Sequence, residues 1–168
     1  GIPYGNSNTL PYLKAFFSGG PNSIRAFYFS SLGPGRFRLP DSLRNNFFLQ
    51  QGGDIRLEGN AEYRFPIWGF LKGAVFVDAG NTWLMRREAG LPGGTFYFNS
   101  FLKELAVGTG FGLRADFNFF VIRLDLGIPL RKPWLPEGER WVIDKISPGN
   151  GKWRAENLVL NIAIGYPF

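Results

Sequence analysis

Apolar and polar residues alternate along the chain from residue 55 onward. In the run 55–65, one face of the pattern is apolar or small, and the other consists of Arg56, Glu58, Asn60, Glu62 and Arg64. Four more runs of this kind lie at 71–83, 102–116, 120–130 and 157–168. A period of two residues predicts β-strands with one apolar face. The pattern predicts four clear strands, the closing one among them, and at most two less regular ones.

The connections between these runs are alternately short and long. Residues 66–70 and 117–119 are tight links, whereas 84–101 and 131–156 are long, polar and rich in Gly and Pro. Bacterial transmembrane β-barrels have short turns on one side and long loops on the other. A soluble β-sandwich explains the alternation but not this asymmetry of the loops. The pattern therefore favours an all-β, antiparallel transmembrane β-meander.

The first third of the chain is organised differently. We expect one weak strand at about 10–17, followed by a long irregular stretch that contains large apolar residues. Such a stretch is unusual in a compact domain, and its apolar content favours a functional loop packed against something over disorder. The expected organisation is the end of a strand at 1–17, a loop at 18–54 and strands at 55–168.

Composition removes most catalytic chemistry. The 168 residues include no Cys and no His, which excludes disulfides, thiol nucleophiles, His-based triads and the usual zinc sites. The acidic residues form no calcium loop, so we expect no metal, no cofactor and no enzymatic activity. The net charge of +6 comes from scattered basic residues, which predict a solvated or lumen-facing charge set and no nucleic-acid partner. No apolar run approaches the ~20 residues of a membrane helix.

Five segments, in order and at compatible spacing, resemble the C-terminal part of outer-membrane assembly and translocation barrels of the BamA/TamA type, also called bacterial surface antigens. They are residues 19–27, 62–65, 75–83, 123–130 and 161–168. Ala26 departs from the family pattern, which usually has Gly there, and its Cβ restricts the loop backbone. The residue sequences of the loop and of the stretch 131–140 are most similar to those of the TamA-like proteins found in Bacteroidetes.

The resemblance implies a C-terminal segment of a sixteen-stranded barrel that POTRA domains precede. It implies an outer-membrane location in a Gram-negative bacterium and a non-enzymatic role in inserting or exporting other proteins. The implied partners are the lipid bilayer, client proteins and possible accessory assembly subunits. A segment with open sheet edges is expected to self-associate or to need detergent. The alternative is a two-partner secretion pore or a passive transport barrel, and an eight-stranded barrel fits the length but not the strand count.

The resemblance also implies specific residues for the loop, which is expected to fold into the barrel lumen. The loop motif consists of Gly19, Gly20, Ile24, Arg25, Ala26 and Phe27. Arg25 is expected to meet the carboxylates of Glu62 and Asp78, which the alternation independently places on the charged face. A buried Arg requires such partners, because an uncompensated charge is costly.

Two further sets of residues complete the prediction. A stripe of glycines on the lumen face is expected to allow close approach by the loop: Gly108, Gly110 and Gly112. The closing run is expected to act as a terminal β-signal, read through strand addition: Ile162, Ile164, Gly165, Tyr166 and Phe168. In the family this strand pairs with the first strand in a weak, openable seam.

Overall fold

The computed structural model describes residues 14–40, 52–117 and 119–165. Five antiparallel strands form one sheet in chain order: β1 (Ile55–Trp68), β2 (Leu71–Trp83), β3 (Ala106–Asp116), β4 (Val121–Arg131) and β5 (Val159–Ile164). The predicted all-β antiparallel meander is confirmed. Within the described ranges, no helix has the length and apolar character needed to cross a membrane.

Short helical elements occupy the long connections, where the sequence predicts none. A 3₁₀ turn at Phe101–Glu104 precedes β3, which therefore begins at Ala106 and not at residue 102 as the alternation predicts. Helix α1 (Gly151–Asn157) precedes β5. The side chain of Asn150 caps this helix by accepting hydrogen bonds from the backbone N–H groups of Lys152 (2.9 Å) and Trp153 (3.3 Å). A helix of 7 residues is too short for its periodicity to stand out in the sequence.

The first predicted strand falls largely outside the described residues. Of the range 10–17, the structure describes 14–17, where Phe16 forms an isolated antiparallel bridge with Gly53 rather than a longer ladder. Both backbone hydrogen bonds of this bridge measure 2.8 Å. The bridge fixes the start of the described loop beside the first residues of β1.

The two faces of the sheet have opposite environments. The apolar registers are solvent-exposed, including Val77 on β2, Phe111 on β3 and Leu160 on β5. The polar registers are covered by residues 14–40, which we call the covering loop. Its part at residues 21–27, the loop tip, lies directly on the sheet through contacts with all five strands. The core of the described structure therefore lies between this loop and the polar face.

Candidate functional site

A compact turn shapes the loop tip. Gly19 and Gly20 both adopt positive φ angles, 100° and 93°, a conformation that L side chains rarely adopt. The Gly20 N–H donates to the carbonyl of Phe27 at 2.8 Å, which closes the turn at its base. The Gly19 N–H donates to Ser23 Oγ at 2.9 Å. The two glycines are therefore required by the backbone of the turn.

Apolar side chains of the loop form a small buried cluster under the long connections. Ile24 and Leu32 are completely buried, and Phe27 lies with them against Ala106 at the start of β3. The ring of Trp134 meets the Phe27 ring edge-on, with 6.0 Å between centroids. These contacts stabilise the loop by burial and leave the side chain between Ile24 and Ala26 to point at the sheet.

That side chain is Arg25, which is fully buried. Its Nε and Nη2 donate to the two carboxylate oxygens of Asp78 at 2.9 and 2.8 Å, and its Nη1 donates to Glu62 Oε2. Its guanidinium carbon also lies 3.6 Å from the centroid of the Phe76 ring. The forked pairing with a carboxylate is the geometry for which a guanidinium is suited. The structure thus brings together the three charged residues that the sequence singles out.

Glu62 extends this pair into a network. Its carboxylate accepts hydrogen bonds from Arg64 Nε at 2.6 Å and from Arg114 Nη2 at 2.9 Å, besides the bond from Arg25. Arg114 in turn forms an ion pair with Asp125, 2.7 Å between Nη1 and Oδ1. Opposite charges therefore alternate from Arg25 of the loop through Glu62 and Arg114 to Asp125, and each ion pair offsets part of the cost of burying its two charges.

Arg123, a residue of β4, binds the loop tip from the sheet. It is 1% exposed, and its Nη2 donates to Asn22 Oδ1 at 2.6 Å. Its Nη1 lies 3.4 Å from the carbonyl oxygen of Pro21 and 3.9 Å from Asp125 Oδ2. Arg123 is thus a second buried arginine at the loop tip, and it belongs to the sheet rather than to the loop. The alternation of the run 120–130 places Arg123 on the polar face of β4 but does not predict its contact with the loop.

The glycine stripe makes room for several different groups. A Cβ at Gly108 would collide with the Cβ of Ala26, so this glycine does allow close approach by the loop. A Cβ at Gly110 would meet the backbone carbonyl oxygen of Leu126 and the ring of Phe76, and one at Gly112 would meet the side chains of Arg114 and Asp125. At these two glycines the nearest atoms belong to the sheet, whereas at Gly108 the nearest atom belongs to the loop.

Sequence reasoning missed three residues that hold the loop tip. A Cβ on Gly127 would lie 2.5 Å from the carbonyl oxygen of Arg25 and 2.7 Å from Ala26 Cα. Asn60 Nδ2 donates to the Ser23 carbonyl, and Asn161 Nδ2 donates to the Arg25 carbonyl, each at 2.8 Å. All three lie on the polar face that the alternation predicts, and this position is the sequence feature that could have pointed to them. The two amides bond to backbone carbonyls and Gly127 lies close to the loop backbone, and no side-chain pattern identifies such contacts.

The described part of the closing strand is exposed on its apolar side. Ile162 and Ile164 are 67% and 77% exposed. Gly165 follows β5 with φ 105°, and its N–H donates to the carbonyl of Val121 at 2.8 Å. Tyr166 and Phe168, the other members of the predicted β-signal, lie outside the described residues.

A second buried polar cluster lies at the end of the sheet that carries the long connections. Trp83 is fully buried, and its Nε1 donates to Glu104 Oε2 at 2.7 Å. Asn81 Nδ2 donates to the carbonyls of Gly35 (2.7 Å) and Glu104 (2.6 Å). These bonds tie the covering loop to the connection between β2 and β3. Among the described residues, no group of His, Cys, Asp or Glu is arranged to hold a metal ion.

Comparison with known protein families agrees with this architecture. The Omp85 superfamily domain matches residues 1–144 of the 168. Members of this superfamily are non-enzymatic barrels that insert or translocate proteins in the outer membranes of Gram-negative bacteria and organelles. The match covers most of the chain, including the covering loop, the Arg25 network and strands β1 to β4. The chain therefore belongs to the Omp85 superfamily.

Proposed function

We propose that this chain is the C-terminal barrel segment of a BamA/TamA-type outer-membrane protein, similar to the Bacteroidetes TamA-like proteins, that inserts or translocates client proteins. The covering loop occupies the barrel lumen, and β5 forms the openable side of the wall. The observation that carries the proposal is the seating of the loop tip: Arg25 is buried on the polar face against Asp78 and Glu62. A fixed loop inside a barrel narrows the lumen. A narrowed lumen suits a protein that handles its clients at an opening in the barrel wall, rather than one that conducts them through an open central channel.

The opposite face supports a lipid environment. Large apolar side chains on β2 to β5 are exposed together, among them Phe111 at 64% and Leu160 at 64%. Soluble monomers rarely expose a contiguous apolar surface of this extent. The described residues contain one sheet, so no second sheet covers this face as it would in a sandwich. Strands β3 and β4 have 11 residues each, enough to cross a bilayer at a tilt.

Aromatic side chains mark the end of the sheet with the short turns. The rings of Phe70 and Phe117 stack with centroids 5.2 Å apart, and Phe117 stacks on Phe120 at 5.1 Å. Trp68 and Phe119 are 82% and 87% exposed. Aromatic belts of this kind lie at the membrane–water interface. The short turns thus fit the level of one set of lipid headgroups.

An insertion assay with purified protein in phospholipid vesicles tests the proposal. An unfolded outer-membrane barrel protein is added from outside, and its folded, protease-resistant fraction is followed over time. We expect faster folding than in protein-free vesicles, and a loss of this acceleration in Arg25→Ala. Lys103→Ala serves as the control, because its side chain pairs with Glu137 only at an exposed position. Vesicles that conduct small solutes but do not accelerate client folding would instead identify a passive pore.

A further inference from the structure

The loop tip is held by matching amides at the two sides of the described sheet. Asn60 on β1 donates to the carbonyl of Ser23, and Asn161 on β5 donates to the carbonyl of Arg25, both at 2.8 Å. Between them, Asp78, Arg123, Gly108 and Gly127 contact the same short segment. The tip therefore connects strands that are not neighbours in the sheet.

β5 has the least support of the five strands. It spans 6 residues, against 11 for its neighbour β4. Its outward side chains Leu160, Ile162 and Ile164 are all more than half exposed, whereas inward-facing Asn161 is 8% exposed. Inward-facing Val159 is also buried, at 4% exposure, so packing and the Asn161 bond both hold β5. Asn161 is the one polar side chain of this strand, and its bond to the loop is the side-chain hydrogen bond that fixes β5 beyond its backbone ladder.

The acceptor of this bond is enclosed. Gly127 approaches the Arg25 carbonyl so closely that a Cβ there would lie 2.5 Å from the oxygen. A buried carbonyl that loses its donor carries a desolvation cost. Arg25 is also fastened to Asp78 through its own backbone N–H, at 3.0 Å. Movement of Arg25 therefore withdraws the acceptor from β5, and movement of Asn161 leaves the loop carbonyl without its donor.

We propose that Asn161 is a positioning residue that couples the seating of the loop tip to the pairing of β5 with β4. When the tip is seated, β5 is held; when the tip is displaced, β5 separates from β4 more readily. The use of this coupling to control client insertion rests on the proposed function. The coupling itself is a property of the chain and is measured without a client.

Amide hydrogen exchange of the full-length protein, reconstituted in phospholipid bilayers, measures both ends of the coupling. Asn161→Leu keeps the approximate volume and removes the donor. We expect exchange to become about fivefold faster, the factor for losing one buried hydrogen bond, in the tip and also in β5. Asn60→Leu loosens the tip from the opposite side of the sheet, because it removes the bonds of Asn60 to the Ser23 carbonyl and to Asp78. The coupling predicts faster exchange in the tip and, to a smaller extent, in β5, where Asn60 makes no contact of its own; faster exchange in the tip with unchanged exchange in β5 would contradict it.

A double variant separates coupling from general loosening. Arg25→Ala should accelerate exchange in β5, although Arg25 lies far away in the sequence, and should add nothing there once Asn161→Leu is present. Asn161→Ala replaces Asn161→Leu if circular dichroism shows that the leucine variant does not fold. Unchanged β5 exchange in Arg25→Ala, or additive effects in the double variant, would overturn the proposal.

The insertion assay on the same preparations keeps the two proposals distinct. Coupled exchange in a protein that does not accelerate client folding supports the coupling and refutes the proposed function. Accelerated client folding with independent exchange in the tip and in β5 refutes the coupling and supports the proposed function.

Discussion

Arg25 gives three hydrogen bonds to the single carboxylate of Asp78. The donors are its backbone N–H at 3.0 Å, Nε at 2.9 Å and Nη2 at 2.8 Å. Both residues are fully buried. Because main chain and guanidinium bind the same group, one carboxylate on β2 fixes both the path of the loop and the direction of its arginine.

The first prediction concerns this pair. Arg25→Ala leaves the carboxylates of Asp78 and Glu62 buried and close together without the shared cation. Breaking a buried ion pair by removing one partner costs about 3–5 kcal/mol. We expect limited proteolysis within residues 18–54 to become faster while far-ultraviolet circular dichroism keeps its β-sheet signal.

Arg64→Ala is the matched control for that prediction. Arg64 also binds Glu62, at 2.6 Å, but its side chain is 34% exposed. Exposed ion pairs contribute about 0.2–1 kcal/mol, so proteolysis of the loop should change little. Equal loop sensitivity in the two variants would show that burial does not distinguish the two arginines.

The second prediction concerns the contact between Gly108 and Ala26. Gly108→Ala places a methyl group against the Cβ of Ala26, and overpacking of this kind costs about 1–3 kcal/mol. Combining it with Ala26→Gly removes the opposing methyl group and should restore most of the stability. The measurement is the free energy of unfolding of the single and double variants in urea.

Gly59→Ala controls for the general effect of alanine in a strand. Within the described ranges, no atom other than those of its chain neighbours lies within 4 Å of where a Cβ would stand at Gly59 on β1. We therefore expect no loss of stability there. Failure of Ala26→Gly to compensate would mean that the loop tip does not sit against Gly108.

The third prediction tests whether the apolar face of β4 contacts lipid, by comparing arginine substitutions at two depths in the bilayer. Leu126 lies at the middle of β4 and Ile122 near its turn end, on the same exposed face. An arginine on the lipid face costs about 2–4 kcal/mol at the bilayer midplane and about 0–1 kcal/mol near the interface. Leu126→Arg should therefore destabilise the protein in vesicles much more than Ile122→Arg. Equal costs in urea titrations would contradict a membrane-spanning β4.

The fourth prediction concerns Glu104, which is 2% exposed and accepts the indole N–H of Trp83. Glu104→Leu leaves this buried donor unsatisfied, at a cost of about 1–3 kcal/mol. Glu104→Gln keeps an acceptor and should cost less. Near-ultraviolet circular dichroism, which reports fixed aromatic side chains, should weaken in the leucine variant and persist in the glutamine variant.

Strand positions and faces followed from the sequence because alternation is a local property. The run 55–65 already shows which side chains of β1 share a face, and β2 and β4 follow the same rule. The ends of the strands and the short helical turns between them were harder to predict from the sequence. Phe101–Glu104 and Gly151–Asn157 form helical turns within stretches expected to be extended or irregular, because capping and packing decide such short elements.

The sequence by itself determined the antiparallel meander and the charged face with Glu62 and Asp78, because these features depend on the order and period of residue types along the chain. That the loop arginine faces these carboxylates was implied by the family resemblance and not by the pattern. Only the tertiary structure decided that Asn161 binds the carbonyl of Arg25, and that Gly127 lies beneath the loop. The first of these contacts joins a backbone atom to a residue 136 positions away, and both contacts depend on how the loop crosses the sheet. No local pattern encodes that path.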